Sequence, residues 1–140
     1  MGGSFLGGHR HDWENIIVFT QGDSIIRVAP SCHGDYDNAR NEFRVEGDHP
    51  LLVYHKDGIG THCFRHANGD DVGGIENPKG VWFRSPLVGW NSWPSVELRT
   101  KMIDAYTEAA TVKLPDDRFG NSLQAAAGDA VPGFDPYLDE

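Results

Sequence analysis

Gly8-His9-Arg10-His11-Asp12-Trp13-Glu14 gathers two imidazoles and two carboxylates into seven consecutive residues. Imidazole nitrogen and carboxylate oxygen together make a ligand set for a divalent cation. Oxygen donors completed by water favour a hard ion, Ca²⁺ or Mg²⁺, with Mn²⁺ also in range. Asp12 and Glu14 stand two apart, so an extended backbone turns both carboxylates to one face. His9 precedes them in a glycine-rich loop and can curl back to the same ion. The expected ligands are therefore His9, Asp12 and Glu14. His11 and Trp13 face the other way, and Trp13 is expected to pack in a core. A plain solvated loop has the same composition, and three ligands leave a calcium shell incomplete unless water or another segment fills it.

Other acidic pairs carry less. Asp70-Asp71 and Asp116-Asp117 have the residue types of a glycosidase pair, but adjacent acids in loops read as solvated groups. No GxSxG, HExxH or phosphate-loop pattern occurs. A metal-dependent hydrolase built on His9, Asp12 and Glu14 stays open; it requires an activated water and an open coordination position. The two cysteines, Cys32 and Cys63, leave two readings: a disulfide worth about 3 kcal/mol, or two buried thiols. The absence of a CxxC pair argues against zinc.

Composition narrows the partners. The formal net charge is −9 over 140 residues, which repels a phosphate backbone and excludes nucleic acid as the natural partner. The same charge argues against simple adhesion to anionic lipid. A neutral sugar headgroup or a bridging cation remains compatible with it. No apolar run is long enough to span a bilayer, and residues 1–8 lack the basic and apolar regions of a signal peptide.

The elements that must position these groups are mostly strands. Residues 14–19 are apolar and β-branched, Gln21-Gly22-Asp23 reads as a hairpin turn, and residues 24–29 form the return strand. Phe43 and Val45 suit a short strand ending at Gly47-Asp48. Residues 51–55 and 61–66 form a second pair around Lys56-Asp57-Gly58. Residues 68–80 read as loop, and residues 81–83 and 87–90 as short apolar pieces broken by Pro86. A helix is expected over 95–110, capped by Ser92 or Ser95, with Leu98, Met102, Ala105, Tyr106 and Ala109 on one apolar face. Trp90 and Trp93, at its entrance, are expected to pack it against the sheet. A second short helix fits 121–127, and the proline-rich tail from Val131 should trail along the surface. The whole is one domain, mainly β, most simply an antiparallel β-sandwich with peripheral helices.

The heptapeptide at residues 8–14 resembles the signature of the necrosis- and ethylene-inducing (Nep1-like) protein family. Glu14-Asn15-Ile16-Ile17-Val18 resembles the strand that follows it, and Ser31-Cys32-His33-Gly34 the family's Ser-x-His-Gly stretch. Val53-Tyr54-His55-Lys56-Asp57-Gly58 and Thr61-His62-Cys63-Phe64-Arg65 are similar to fungal members. So are Asp70-Asp71, Ile75-Glu76-Asn77, Lys79-Gly80-Val81-Trp82 and Pro86-Leu87-Val88-Gly89-Trp90. The resemblance runs from about residue 8 to about residue 127.

That resemblance implies a sandwich like those of sea-anemone pore-forming toxins and some fungal lectins, with a divalent cation at one end. It implies a secreted, non-enzymatic cytolysin that damages dicot plasma membranes after binding glycosyl inositol phosphorylceramide sphingolipids, and that provokes plant immune responses. His9, Asp12 and Glu14 match metal positions, His62 a position near the sugar headgroup, and Asp57 lies in the same turn region. The family's further metal residue is an aspartate before the heptapeptide, and residues 1–8 contain none. The expectation is therefore a C-terminal portion of the family domain, lacking N-terminal strands and a signal peptide. Such a portion should be monomeric, poorly stable and weakly cytolytic or inactive. A lectin-like or immune-eliciting module that binds without lysis is the alternative from the same fold.

Overall fold

The computed structural model describes residues 13–58, 60–105 and 112–138. Within them the chain is mixed, with three two-stranded antiparallel sheets and three short helices. Strands β1 (Ile16–Gln21) and β2 (Ser24–Pro30) form the first hairpin. Gly22 at φ 58° and Asp23 make the two-residue connection, for which a positive φ matches the twist of the paired strands. A register shift between Phe19 and Thr20 bends the hairpin. Strands β3 (Val45–Glu46) and β4 (His49–Pro50) are a minimal pair, so only the end of the expected 43–45 strand is paired. Strands β5 (Leu52–Asp57) and β6 (Thr61–His66) complete the set.

The hairpins are tied by backbone. The Ser31 amide donates to Asn15 O (2.9 Å), which prolongs the first hairpin, and the Phe64 amide donates to Ser31 O (3.2 Å), which docks β6 at the end of β2. Val28 and Arg40 exchange both backbone hydrogen bonds at 2.9 Å, holding the 31–44 excursion against β2.

The segment expected to be loop contains helix α1 (Gly69–Gly73). Asn68 accepts from the Asp70 and Asp71 amides while the Asp71 carboxylate accepts from the Asn68 amide, a reciprocal capping box. Helix α2 (Val96–Ala105) lies within the expected 95–110 range; the rest of that range falls in residues 106–111, outside the described residues. The Ser95 hydroxyl accepts from the Leu98 amide at 3.0 Å. No residue of α2 is buried, so the described part of the expected apolar face, Leu98, Met102 and Ala105, is not in the core; Tyr106 and Ala109 lie outside the described residues.

Helix α3 (Asp116–Ala127) begins five residues before the expected start. Pro115 precedes it in extended backbone, and Asp116 and Asp117 occupy its first turn, where negative charge meets the positive end of the helix dipole. These two acids read better as a helix-start signal than as solvated loop. Gly120 in its middle lets Tyr137 lie close: a Cβ there would come 2.5 Å from Tyr137 Cε1, so the ring would have to shift.

The main core joins Phe19, Ala29 and Tyr36 to Ala126 and Ala127, with Ile17, Ile26, Ala39, Val131 and Phe134 packed against it. The tail therefore contributes to the core instead of trailing. Phe134 meets Phe19 edge-to-face at 5.1 Å. Arg27 extends from β2 to donate to Ala126 O (2.8 Å) and to Asn41 Oδ1 (2.6 Å), satisfying a carbonyl in the last turn of α3.

Candidate functional site

Of the heptapeptide, Trp13 and Glu14 are described; Gly8, His9, Arg10, His11 and Asp12 lie outside the described residues. Trp13 is half-buried. Glu14 is placed by the end of β2. The Ser31 hydroxyl donates to Glu14 Oε2 and accepts from the Asn15 amide at 2.8 Å. Ser31 is only 2% exposed, and the Asn15 side chain donates to the Tyr36 hydroxyl at 2.9 Å. A buried hydroxyl with both its donor and acceptor used holds one rotamer, so one carboxylate oxygen of Glu14 is fixed. Among the described residues Oε1 has no partner.

Two residues further on, the chain turns sharply. Cys32 and Asp35 exchange backbone hydrogen bonds of 2.9 and 3.1 Å around His33 at φ 56° and Gly34 at φ 88°. Two central residues with positive φ are the mark of a type I′ turn, and histidine is among the residues that tolerate the left-handed region. Cys32 is joined to Cys63 by a disulfide with a Cα–Cα distance of 4.8 Å. The bridge crosses from the end of β2 to the middle of β6, beside the Phe64–Ser31 hydrogen bond. His33 Nε2 lies 2.7 Å from Asp57 Oδ2, and the Thr61 hydroxyl donates to Asp57 O at 2.6 Å, closing the β5–β6 turn.

Asp57 and His62 do not converge. Asp57 pairs with Thr61 and Lys56 with His62. Side chains alternate along a strand, so Asp57 shares the face of Thr61 and Cys63, while His62 shares the face of Lys56 and Tyr54. Contacts agree: Asp57 meets His33, and exposed His62 stacks on Tyr54 at 5.6 Å. The two residues expected at one headgroup sit on opposite faces of one hairpin. Sequence reasoning gave His33 no role, although its Ser-x-His-Gly context was visible; the structure makes it the partner of Asp57.

Cys32, His33, Asp57 and Cys63 bring their ligand-type atoms within 4.8 Å of one another. This group does not fit a metal. Its sulfurs are spent in the disulfide, and a metal requires thiolates; the remaining imidazole and carboxylate satisfy each other. Glu14 fits a hard cation better, with one anchored oxygen and one unpartnered among the described residues.

Just beyond, Arg65 makes a forked ion pair with Asp71 (2.6 and 2.7 Å). Those two hydrogen bonds, then the Asn68 amide, hold the Asp71 carboxyl down at about 2. Asp71 is thus a bound structural acid rather than a solvated one. His66 is 7% exposed, and among the described residues neither ring nitrogen has a hydrogen-bond partner. Burial, and then the Arg40 charge, push its pKa down. The Asn38 and Val28 backbones pull the other way, but neither reaches hydrogen-bonding geometry with the ring.

A disulfide thus ties the two hairpins together beside a signature acid held by a buried serine. The sequence profile of the necrosis inducing protein (NPP1) family matches residues 2–126, and the chain belongs to that family. No curated protein and no solved structure matches it. Among the described residues no helix is long and apolar enough to cross a membrane.

Proposed function

We propose that this protein is a secreted, cation-dependent cytolysin acting on glycosyl inositol phosphorylceramide sphingolipids of plant plasma membranes, by binding and without turnover. One observation carries the reading. The family match spans the heptapeptide, and the acid that ends it is anchored through Ser31 with its other oxygen unpartnered among the described residues. His9, Asp12 and Glu14 would hold Ca²⁺ or Mg²⁺, which supplies positive charge to orient an anionic, sugar-bearing headgroup. Ser31, through Glu14, fixes one ligand in advance, and the disulfide holds Ser31's neighbour against β6. His62, exposed on the Tyr54 face, is the second headgroup contact; Asp57 acts through His33 on the other face. On this reading the hairpins are parts of an antiparallel β-sandwich with peripheral helices, and membrane contact is peripheral. A disulfide is compatible with the oxidising compartments that secreted proteins traverse.

The test is dye release from vesicles containing the plant sphingolipid. Release should require Ca²⁺ or Mg²⁺, stop on chelation, and fall about tenfold or more in Asp12→Ala and Glu14→Ala. Release indifferent to chelation and to both substitutions overturns the reading. Binding without release selects the lectin-like or eliciting alternative. Product formation from a glycan or phosphoester, lost in Asp12→Ala, selects the hydrolase.

A further inference from the structure

A cleft of about 480 Å³ is lined by Val88, Trp90, Trp93, Leu114, Asp116 and Phe119. It shares no residue with the Glu14–Ser31 or His33–Asp57 groups, and its volume suits a small molecule. Three aromatic rings and one carboxylate are an unusual lining. Aromatic faces carry negative potential and attract cations. The molecule already uses one of these rings so: the Arg99 guanidinium lies 4.2 Å from the Trp90 ring centroid and donates to Trp90 O at 2.7 Å. Among the described residues no cation sits over Trp93 or Phe119. Asp117 faces Arg118 at 3.8 Å, whereas Asp116 has no ion-pair partner among the described residues. An anionic ligand would meet two adjacent acids on a chain of net charge −9.

These features select the ligand. A primary ammonium needs hydrogen-bond acceptors for its N–H groups, and of the lining side chains only Asp116 is an acceptor. A quaternary ammonium has no N–H and spreads its charge over methyl groups, so apolar and aromatic walls desolvate it at little cost. We propose that this cleft binds an alkylated ammonium group such as the trimethylammonium of choline. Trp93 and Phe119 supply ring faces, Asp116 supplies the counter-charge, and Arg99 keeps Trp90 in place. The site is independent of the cation-dependent docking at Glu14, and its failure leaves that reading untouched.

Tryptophan fluorescence of the full chain is titrated with choline, phosphocholine and the uncharged tert-butyl analogue of choline. The two ammonium compounds should saturate, with the analogue about tenfold weaker. Asp116→Asn should weaken choline several-fold and leave the analogue unchanged. Trp93→Ala should abolish binding and Trp93→Phe should retain most of it, with circular dichroism checking the fold. If Trp93→Ala unfolds, Asp116→Asn decides. Equal binding of analogue and choline, no saturation, or indifference to Asp116→Asn overturns the proposal. Flotation with phosphatidylcholine vesicles but not phosphatidylglycerol vesicles, competed by free choline, assigns the ammonium to a lipid headgroup. Choline binding without flotation assigns it to a soluble ligand.

Discussion

Residues 13–67 and residues 81–105 both carry aromatic and aliphatic side chains, yet only the first region buries them. Phe19, Val28, Ala29, Tyr36, Leu51, Cys63 and Ala67 are all below one-tenth exposed, whereas Leu87 is 97%, Val96 68% and Phe83 66% exposed. Strand pairing explains the first case: alternate residues of a hairpin share a face, and α3 with the tail covers it. Helix α2 carries apolar residues at helical spacing, but none of its residues is buried among the described residues. A periodic pattern states which side of an element seeks cover; it does not supply the cover.

The largest expected effect tests that contrast directly. Phe19→Ala should cost about 3–5 kcal/mol, since it opens a cavity between β1, Phe134 and α3. Leu87→Ala should stay within about 0.5 kcal/mol. Urea denaturation of the two variants measures both; equal losses would mean that residue 87 is covered in solution and that the two regions do not differ.

The next effect sharpens what holds the first region together. Reducing Cys32–Cys63, or replacing Cys63 by Ser, should lower stability by about 3 kcal/mol and release the end of β2 from β6. Denaturation with and without a thiol reductant reads this. An unchanged midpoint would assign the junction to the Phe64–Ser31 hydrogen bond and the packing alone.

The smallest effects are pH windows within the same region. His66 has a lowered folded pKa because it is buried, then because Arg40 is near. The native state therefore binds fewer protons than the unfolded chain. Stability is full above the unfolded value of about 6.5 and declines as pH falls below it, by at most about 1.4 kcal/mol per pH unit. Asp71 behaves alike at lower pH. Its stabilisation is full above its ordinary value of 3.8 and is lost as pH falls toward about 2. A stability–pH profile should show both declines; His66→Phe should flatten the first and Asp71→Asn the second. A first decline that survives His66→Phe moves its origin to another group.

Much of the fold was legible in advance because local chemistry writes it. Gly22 and Asp23 mark a hairpin turn, and the β-branched runs beside them can be little but strands. Helix α1 has its own signal in the Asn68–Asp71 capping box, but the glycines around it give the segment the composition of a loop. Helix α3 starts earlier than the apolar residues near its end suggest, because Asp116 and Asp117 in its first turn carry no apolar periodicity. Of the site, Glu14 could be singled out by composition, but its Ser31 anchor lies seventeen residues away and no periodicity links them.

What the sequence determined by itself was the inventory: a family signature, two cysteines, strand-forming runs, and turn residues whose φ preferences act within four positions. Only the tertiary structure decided the pairings. It placed Asp57 with His33 instead of with His62, joined Cys32 to Cys63, sent the tail into the core, and left no described residue of α2 buried. The reason is range: backbone sterics act between neighbours in sequence, whereas a strand's register decides which face each distant side chain shares. A one-residue shift of β5 against β6 would reverse every one of those faces without changing a residue.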